Sequence, residues 1–384
     1  MKTACSKSWT DVNIDFANRL IRNCCRSVEY KMPDSYDIDF FNNSPQIQQR
    51  RSSTLSGEQH PDCAHCWESE NAGIPSYRSQ QNKWQDFSGV TRDPQTTYID
   101  VTLDTTCDQS CLYCAADASS QIAQEEGVPI RDNGTEHDFE TFKRWVSTLS
   151  GDVVFNFLGG EPTASKRFAP MVEYINQQNV NAEFEICTNC NTTEPMMKRL
   201  LKTIRGSGKP WNVAISNETY AEHAELLRYG LDWERFKKNF ITYITTPEIL
   251  SITLAPTTNA FSIRYFPQYI EWVYETFLTH APDKSFSWHG SYITRPQAMD
   301  IKYLPAKDRM HIQRAISVNN KYKNHHLLTN ARNLDKFGEY LQAMSDRIGS
   351  ATPEGYSDRN QQIGLKHFLN EKQQVKQKDL SSLL

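Results

Sequence analysis

The sequence predicts an α/β fold in which a mostly parallel sheet is covered by helices. Three observations predict it. Strand-like runs alternate with helical ones from residue 96 to about 293. Within the runs, apolar and polar residues alternate with period two. Helical segments rather than tight hairpin turns join them, which is how parallel strands are connected.

The predicted strands are 98–104, 153–158, 182–189, 211–218, 250–257 and 285–293, with helices at 137–149, 166–178, 194–204, 220–240 and 267–279. In the first strand Ile99, Val101 and Leu103 share one face, and Asp100, Thr102 and Asp104 share the other. Phe184 and Ile186 oppose Glu183, Glu185, Cys187 and Asn189 in the third. Trp211, Val213 and Ile215 oppose Asn212, Ser216 and Glu218 in the fourth. Helix-covered sheet faces are dry, so the apolar set faces the helices. The polar set then lines an open interior, unlike the branched apolar filling of a closed eight-stranded barrel. An antiparallel sheet with one solvated face would show the same alternation; the helical connections count against it.

Residues 1–95 show little periodicity and are expected to form an N-terminal extension. In it, 15–25 reads as a short helix or strand ending at Cys24-Cys25, and 44–55 as a polar helix with Pro45 in its first turn. Residues 294–384 are expected to be a helical C-terminal region, with helical spacing over 303–318 and 333–348. Asn330 or Asn333 is expected to cap the second helix. The end from Asn370 is expected to be lightly docked. The tail is also expected to cover the open sheet edge, since an unpaired edge invites association.

The chain has 384 residues and a formal net charge of -4, which argues against a general role in coating long nucleic acid. No apolar run reaches membrane-spanning length, and the start lacks the apolar stretch of a signal peptide. A cytoplasmic protein with no membrane partner is therefore expected. All 10 cysteines lie at or before position 190. Without a secretion signal they read as reduced thiols, available to metals before disulfides.

Cys107, Cys111 and Cys114 follow the first strand directly. Structural zinc and cysteine-ligated iron–sulfur clusters normally take four protein ligands, so three leave one position open. The spacing admits a cluster with an open iron, or a zinc loop that borrows a fourth ligand. Gly159-Gly160-Glu161-Pro162 follows the second strand, where two glycines let the backbone approach a ligand closely. Upstream, Cys63-Ala-His-Cys66-Trp67 is followed by Glu70, Gly73, Ser76 and Arg78. With Cys24 or Cys25, and a fourth ligand such as His60 or His65, this pair could close a second metal site. Cys5 reads as an inert surface thiol. Cys187 and Cys190 end the third strand and admit three roles: inert packing, metal ligation, or hydrogen donation to a radical.

The three-cysteine loop and the Gly-Gly-Glu turn, in this order, resemble the motifs of the radical SAM superfamily. The resemblance runs from about Cys24 to about Phe266. It implies a partial (β/α)6 barrel in which Cys107, Cys111 and Cys114 hold a [4Fe-4S] cluster whose open iron binds S-adenosylmethionine. It places Tyr113 beside the adenine, Gly159, Gly160 and Glu161 at the amino group, and Ser216 and Glu218 at the ribose or methionine moiety. Arg228 resembles the arginine that pairs with the cofactor carboxylate, where a guanidinium fork fits; its alternative is a solvated helix residue. The resemblance also implies an electron from a flavodoxin- or ferredoxin-like donor. That electron cleaves the cofactor to a 5′-deoxyadenosyl radical, which takes hydrogen from a substrate. The pattern from Cys63 to Arg78 looks like the extension of twitch-domain radical SAM proteins, many of them encoded by phages.

In twitch and SPASM proteins the extra cysteines usually hold an auxiliary cluster, often C-terminal to the barrel. Here they would be Cys24, Cys25, Cys63 and Cys66, with Cys190 a further candidate, and zinc remains a rival to a second cluster. Many relatives carry Thr-Asn-Gly where this chain has Thr188-Asn189-Cys190. Such relatives commonly modify peptides or proteins, so a polypeptide side chain is the expected substrate, with a nucleotide or sugar as the alternative. From another class, a non-catalytic zinc or iron–sulfur module fits the same cysteines.

Overall fold

Period-two alternation builds strands across both compact units of the chain. The computed structural model describes residues 3–71, 76–82, 95–350, 366–373, 376 and 380–383. One unit comprises Met1–Thr105 and Arg131–Glu185, the other Thr106–Ile130 and Ile186–Leu384. Gly73 lies outside the described residues.

In the first unit the strands are β1 (Asp11–Asp15), β2 (Leu20–Arg22), β3 (Tyr30–Lys31), β4 (Tyr98–Thr102) and β5 (Asp152–Leu158). They pair in the order β5-β4-β1-β2-β3. β1 and β5 both run parallel to β4, while β1, β2 and β3 form an antiparallel ribbon. The segment read as 15–25 is thus a hairpin that starts earlier, and the extension joins the sheet of β4. The register shows why. Val12 and Ile14 stand beside Ile99 and Val101, which stand beside Phe155 and Phe157. All six side chains are buried, and each contributes about 1.5–3 kcal/mol of apolar transfer. On the other face Asn13, Asp100 and Asn156 form one row, and both amides donate to the Asp100 carboxylate, at 3.1 and 2.7 Å. Burial pushes the Asp100 carboxyl above its usual range, and these two bonds oppose the shift.

The helices obey their local signals. Pro45–Ser56 is capped by Ser44 and has Pro45 at its start. Glu136–Val146 opens with a reciprocal box between Thr135 and Asp138. Its apolar side buries Phe142, Trp145 and Val146.

β6 (Asn181–Thr188) carries the chain from the first unit into the second. There follow β7 (Trp211–Ile215), β8 (Ile249–Leu254), β9 (Thr257–Thr258), β10 (Ser285–Trp288), β11 (Ser291–Tyr292) and β12 (Ala331–Arg332). β7, β8, β10 and β12 pair in that order and all run parallel. The expected strand 285–293 is interrupted at His289-Gly290, and β11 turns away to pair with β9. The ring of Tyr340 occupies the place of a Gly290 side chain, so the bend needs glycine. The expected helix 220–240 is likewise two, Glu222–Leu227 and Trp233–Thr245, separated at Gly230 with φ +99°.

The C-terminal region adds β12 to the edge of β10, as an edge cover should. Its helices are Arg309–Tyr322 and Leu334–Arg347. The first starts later than expected, after Pro305. Neither asparagine caps the second: Asn333 sits at φ +59° with no side-chain cap bond, and the Asn330 amide donates to the Asp283 carbonyl. Among the described residues of the expected lightly docked end, Lys376, Leu380 and Leu383 are buried, as is Leu369 just before it. Among the described residues no helix is long and apolar enough to cross a membrane.

Candidate active site

In the second unit the three-cysteine loop is held by backbone and side-chain bonds on several sides. The Ser110 and Leu112 amides donate to the carbonyls of Tyr229 and Leu227, at 2.8 and 2.9 Å. The Cys107 amide donates to Ser120 Oγ at 3.1 Å, and Ser119 Oγ donates to the Gln109 carbonyl at 2.8 Å. Both serines sit at the start of the helix Ser120–Glu126. Asp108 accepts from the amides of Asn189 and Asn191, at 2.7 and 2.8 Å. Gly230 completes the seat, since a Cβ there would lie 2.7 Å from the Asp108 carbonyl oxygen. The loop thus has a preset shape before any ligand arrives.

Cys107, Cys111 and Cys114 are all half-buried. Burial pushes the Cys111 thiol up to about 12, and Arg228 leads the groups that oppose the shift, with Lys376 also contributing. Burial raises the Cys114 thiol as well, against Arg228 and Lys372. A bound iron deprotonates a coordinating thiol outright, and the nearby cations favour the resulting negative charge. Among the described residues no group of three His, Cys, Asp or Glu side chains is drawn together to hold a metal ion. A single zinc needs its ligands around one point at 2.0–2.3 Å. A cluster spreads its cysteines over several irons. Three thiols on one preset loop, beside cations and with no fourth thiol in the loop, fit the cluster.

Next to the loop stands a buried triad. Arg228 donates to both oxygens of Glu218, at 3.1 and 2.6 Å, and Tyr113 donates to the same carboxylate at 2.9 Å. The guanidinium lies 5.6 Å from the Tyr113 ring centroid. Burial works against the Arg228 cation, yet Glu218, then Tyr113 and Cys111, hold its pKa well above the ordinary value. Burial, despite Arg228, drives the Tyr113 phenol well up. The structure therefore places Arg228 in the interior, not on a solvated helix, with its fork on Glu218. Ser216 lies at the end of β7, with its hydroxyl 3.4 Å from the Cys187 sulfur.

Cys190 is a packed residue. It holds φ +60°, its thiol donates to the Phe236 carbonyl at 3.6 Å, and it is fully buried. That backbone region explains why a glycine suits this position in relatives.

In the first unit the Gly-Gly-Glu turn is built on Asp104. Gly159 holds φ +139°, and a Cβ there would meet the Asp104 carbonyl oxygen at 2.7 Å. Ser165 Oγ donates to the Asp104 carboxylate at 2.6 Å. Glu161 is buried and accepts from the Thr163 hydroxyl and amide, at 2.6 and 3.1 Å, which fixes the turn Pro162–Ala164.

Also in the first unit, two buried arginines tie the N-terminal cysteine segments together. Arg50 bonds Asn23, Ser27 and Tyr30 on one side and Asp62 on the other. Arg78 donates to the Ala4 carbonyl at 2.8 Å, forks onto Glu70, and lies 4.4 Å from the Trp67 ring centroid. Ser76 bonds the same Glu70. Trp67, Glu70, Ser76 and Arg78 of the sequence pattern thus brace the helix Ala64–Asn71, which carries Cys66. Cys5 is not the expected surface thiol. It is buried, burial raises its thiol to about 12, and Cys63 and Cys66 are near enough to raise it further. Cys24 and Cys25 share a hydrogen bond, which pushes the Cys24 thiol up and the Cys25 thiol down. Sequence reading missed Cys5 because a lone cysteine near a terminus carries no spacing signal.

A parallel α/β sheet with a three-cysteine loop beside a buried Tyr-Glu-Arg triad defines a cofactor-dependent enzyme class. Residues 102–244 match the Radical SAM superfamily model, so that stretch of the chain carries a radical SAM domain. No curated protein sequence matches the chain. Among solved structures, "Native anSMEcpe with bound AdoMet and Kp18Cys peptide" is similar at 17% identity and TM-score 0.42, covering 62% of this chain and 64% of that one. Streptococcus suis SuiB bound to S-adenosylmethionine is similar at 16% identity and TM-score 0.41, covering 75% and 58%. TYW1 with a lysine-pyruvate adduct bound is similar at 13% identity and TM-score 0.31, covering 59% and 71%. The chain spans less than two thirds of these two anSMEcpe and SuiB chains, both of them with S-adenosylmethionine bound.

Proposed function

We propose that this protein cleaves S-adenosylmethionine reductively at a [4Fe-4S] cluster held by Cys107, Cys111 and Cys114, and abstracts hydrogen from a polypeptide side chain. The reading rests on one observation: the matched span, residues 102–244, contains the cysteine loop, the Gly-Gly-Glu turn and the Tyr113–Glu218–Arg228 triad. When bound, the cluster and S-adenosylmethionine supply the electron transfer and the 5′-deoxyadenosyl radical. The chain's own residues supply position. Hydrogen bonds to Ser119, Ser120, Asn189 and Asn191 hold the loop so that its three thiols stay aimed. Glu218 and Arg228 fix the phenol of Tyr113, and their burial keeps water from the site. The resemblance assigns the cofactor's amino group to Gly159, Gly160 and Glu161. The polypeptide substrate follows the resemblance of the N-terminal pattern to twitch and SPASM proteins, and a flavodoxin- or ferredoxin-like protein is the matching electron donor. We infer an auxiliary metal centre on Cys24, Cys25, Cys63 and Cys66, whose segments are braced by Arg50 and Arg78.

Anaerobic reconstitution tests the reading. The wild type should be brown and form 5′-deoxyadenosine from S-adenosylmethionine after dithionite reduction. The C107A/C111A/C114A variant should form none. A colourless, zinc-loaded wild type that forms no 5′-deoxyadenosine would instead mean a non-catalytic metal module.

A further inference from the structure

Ser110 lies between two of the three loop cysteines and is fully buried. Its hydroxyl donates to Glu125 Oε1 at 2.6 Å. The second oxygen of Glu125 accepts from Lys376 Nζ at 2.9 Å, and the same Nζ donates to Ser110 Oγ at 2.8 Å. The ammonium also lies 4.9 Å from the ring centroid of Tyr229, whose carbonyl accepts the Ser110 amide. The Lys376 side chain is only 3% exposed. Lysine is almost never buried to this extent without a partner that compensates it. It comes from the far end of the chain, 266 residues after Ser110.

The neighbouring tail residues dock on the same unit. Phe368 stacks on Phe261 at 6.2 Å, and Leu380 and Leu383 are buried. Surface docking alone would not bring an ammonium into the cysteine loop. We propose that Lys376, set by Glu125, is a positioning residue for the cluster: it fixes the loop through Ser110 and places a positive charge beside the thiolates that raises the cluster's reduction potential. This inference rests on the cluster reading above.

The physical basis is simple. A cluster on three thiolates gains negative charge on reduction, and a cation held nearby in a site of low effective dielectric favours that gain. Lys376 bonds the hydroxyl of Ser110, the residue directly before Cys111, so its ammonium is held at the cysteine loop. Arg228 acts in the same sense from its own pair with Glu218, as Lys376 does from its pair with Glu125, so the two cations are separable by mutation.

The test is a redox titration of the full-length, reconstituted protein, followed by electron paramagnetic resonance, with iron and sulfide assayed on each sample. K376M should take up iron yet show the reduced fraction at a fixed potential falling by about tenfold, a drop of about 59 mV for a one-electron couple. K376R should restore most of it. E125Q, which removes the opposing charge, should shift the potential upward. Should K376M fail to fold, the K376R and E125Q pair still decides the matter. A wild-type potential in K376M or an unmoved one in E125Q, with iron content intact, overturns the inference alone. A wild type without any cluster overturns it together with the reading it rests on.

Discussion

A methyl group at position 230 would sit 2.7 Å from the carbonyl oxygen of Asp108, at a backbone φ of +99°. Both the clash and the left-handed conformation oppose any side chain, so G230A should cost more than the roughly 1 kcal/mol of an ordinary glycine effect. The displaced group is the cysteine loop itself. The expected outcome is iron uptake well below wild type at a melting temperature lowered by a few degrees; unchanged iron content would show that the loop does not depend on this seat. Glu218 offers a second test. It is fully buried and holds both Arg228 and Tyr113. Removing one partner of a buried ion pair costs about 3–5 kcal/mol. E218Q should therefore lower the unfolding free energy obtained from denaturant titration by that amount, and E218Q/R228M should recover part of it, a coupling that a double-mutant cycle reads directly. Neither residue's local partner could be read from sequence. Ser216, Glu218 and Arg228 were picked out by resemblance to a motif. Arg228 reaches Glu218, ten residues away, from the C-terminal cap of the short helix Glu222–Leu227.

Helices reveal their ends through single side chains, and Glu136–Val146 shows this best. Thr135 and Asp138 cap it reciprocally, and Asp138 also accepts from Tyr36 at 2.9 Å and from Arg19 at 3.1 Å. Burial alone would raise the Asp138 carboxyl, but the bonds from Thr135, Tyr36 and Arg19 outweigh it and hold the pKa below the usual value. A depressed carboxylate stabilises the fold above its unfolded pKa and loses that contribution as pH falls through its folded one. D138N should thus cost about 1–2 kcal/mol near neutral pH, and the gap from wild type should begin to narrow only below about pH 4 and go on narrowing as pH falls towards the lower folded value. A gap of constant size from neutral pH down into strong acid would mean the charge is not what matters. The strands with alternating faces were legible before the structure, because period two is written in each run. β1 was not. Five residues pair with a partner 87 positions later, and no local pattern announces so distant a neighbour. β11 and β12, two residues each, are too short to carry a period at all.

At the scale of the whole molecule the cysteines divide the question into two countable parts. Cys107, Cys111 and Cys114 lie in one compact unit, and Cys5, Cys24, Cys25, Cys63 and Cys66 in the other. Removing the cysteines of one set would therefore leave those of the other in place. Arg50 and Arg78 brace the N-terminal set through side chains that are nearly buried. Burying two guanidinium groups is costly unless each is well partnered, and here both are, so the bracing survives whatever occupies the thiols. C63A/C66A should then leave the protein folded and able to form 5′-deoxyadenosine, while one share of its metal disappears. Elemental analysis identifies that share: iron and sulfide falling together mean an auxiliary cluster, and zinc falling alone means a structural zinc. C5A tests the buried thiol separately. Loss of the same metal share would make Cys5 a ligand that spacing could not reveal, whereas full retention would leave it a packed side chain. If C63A/C66A loses no metal of any kind, the N-terminal cysteines hold none, and the auxiliary centre must be abandoned while the chemistry assigned to the three-cysteine loop stands.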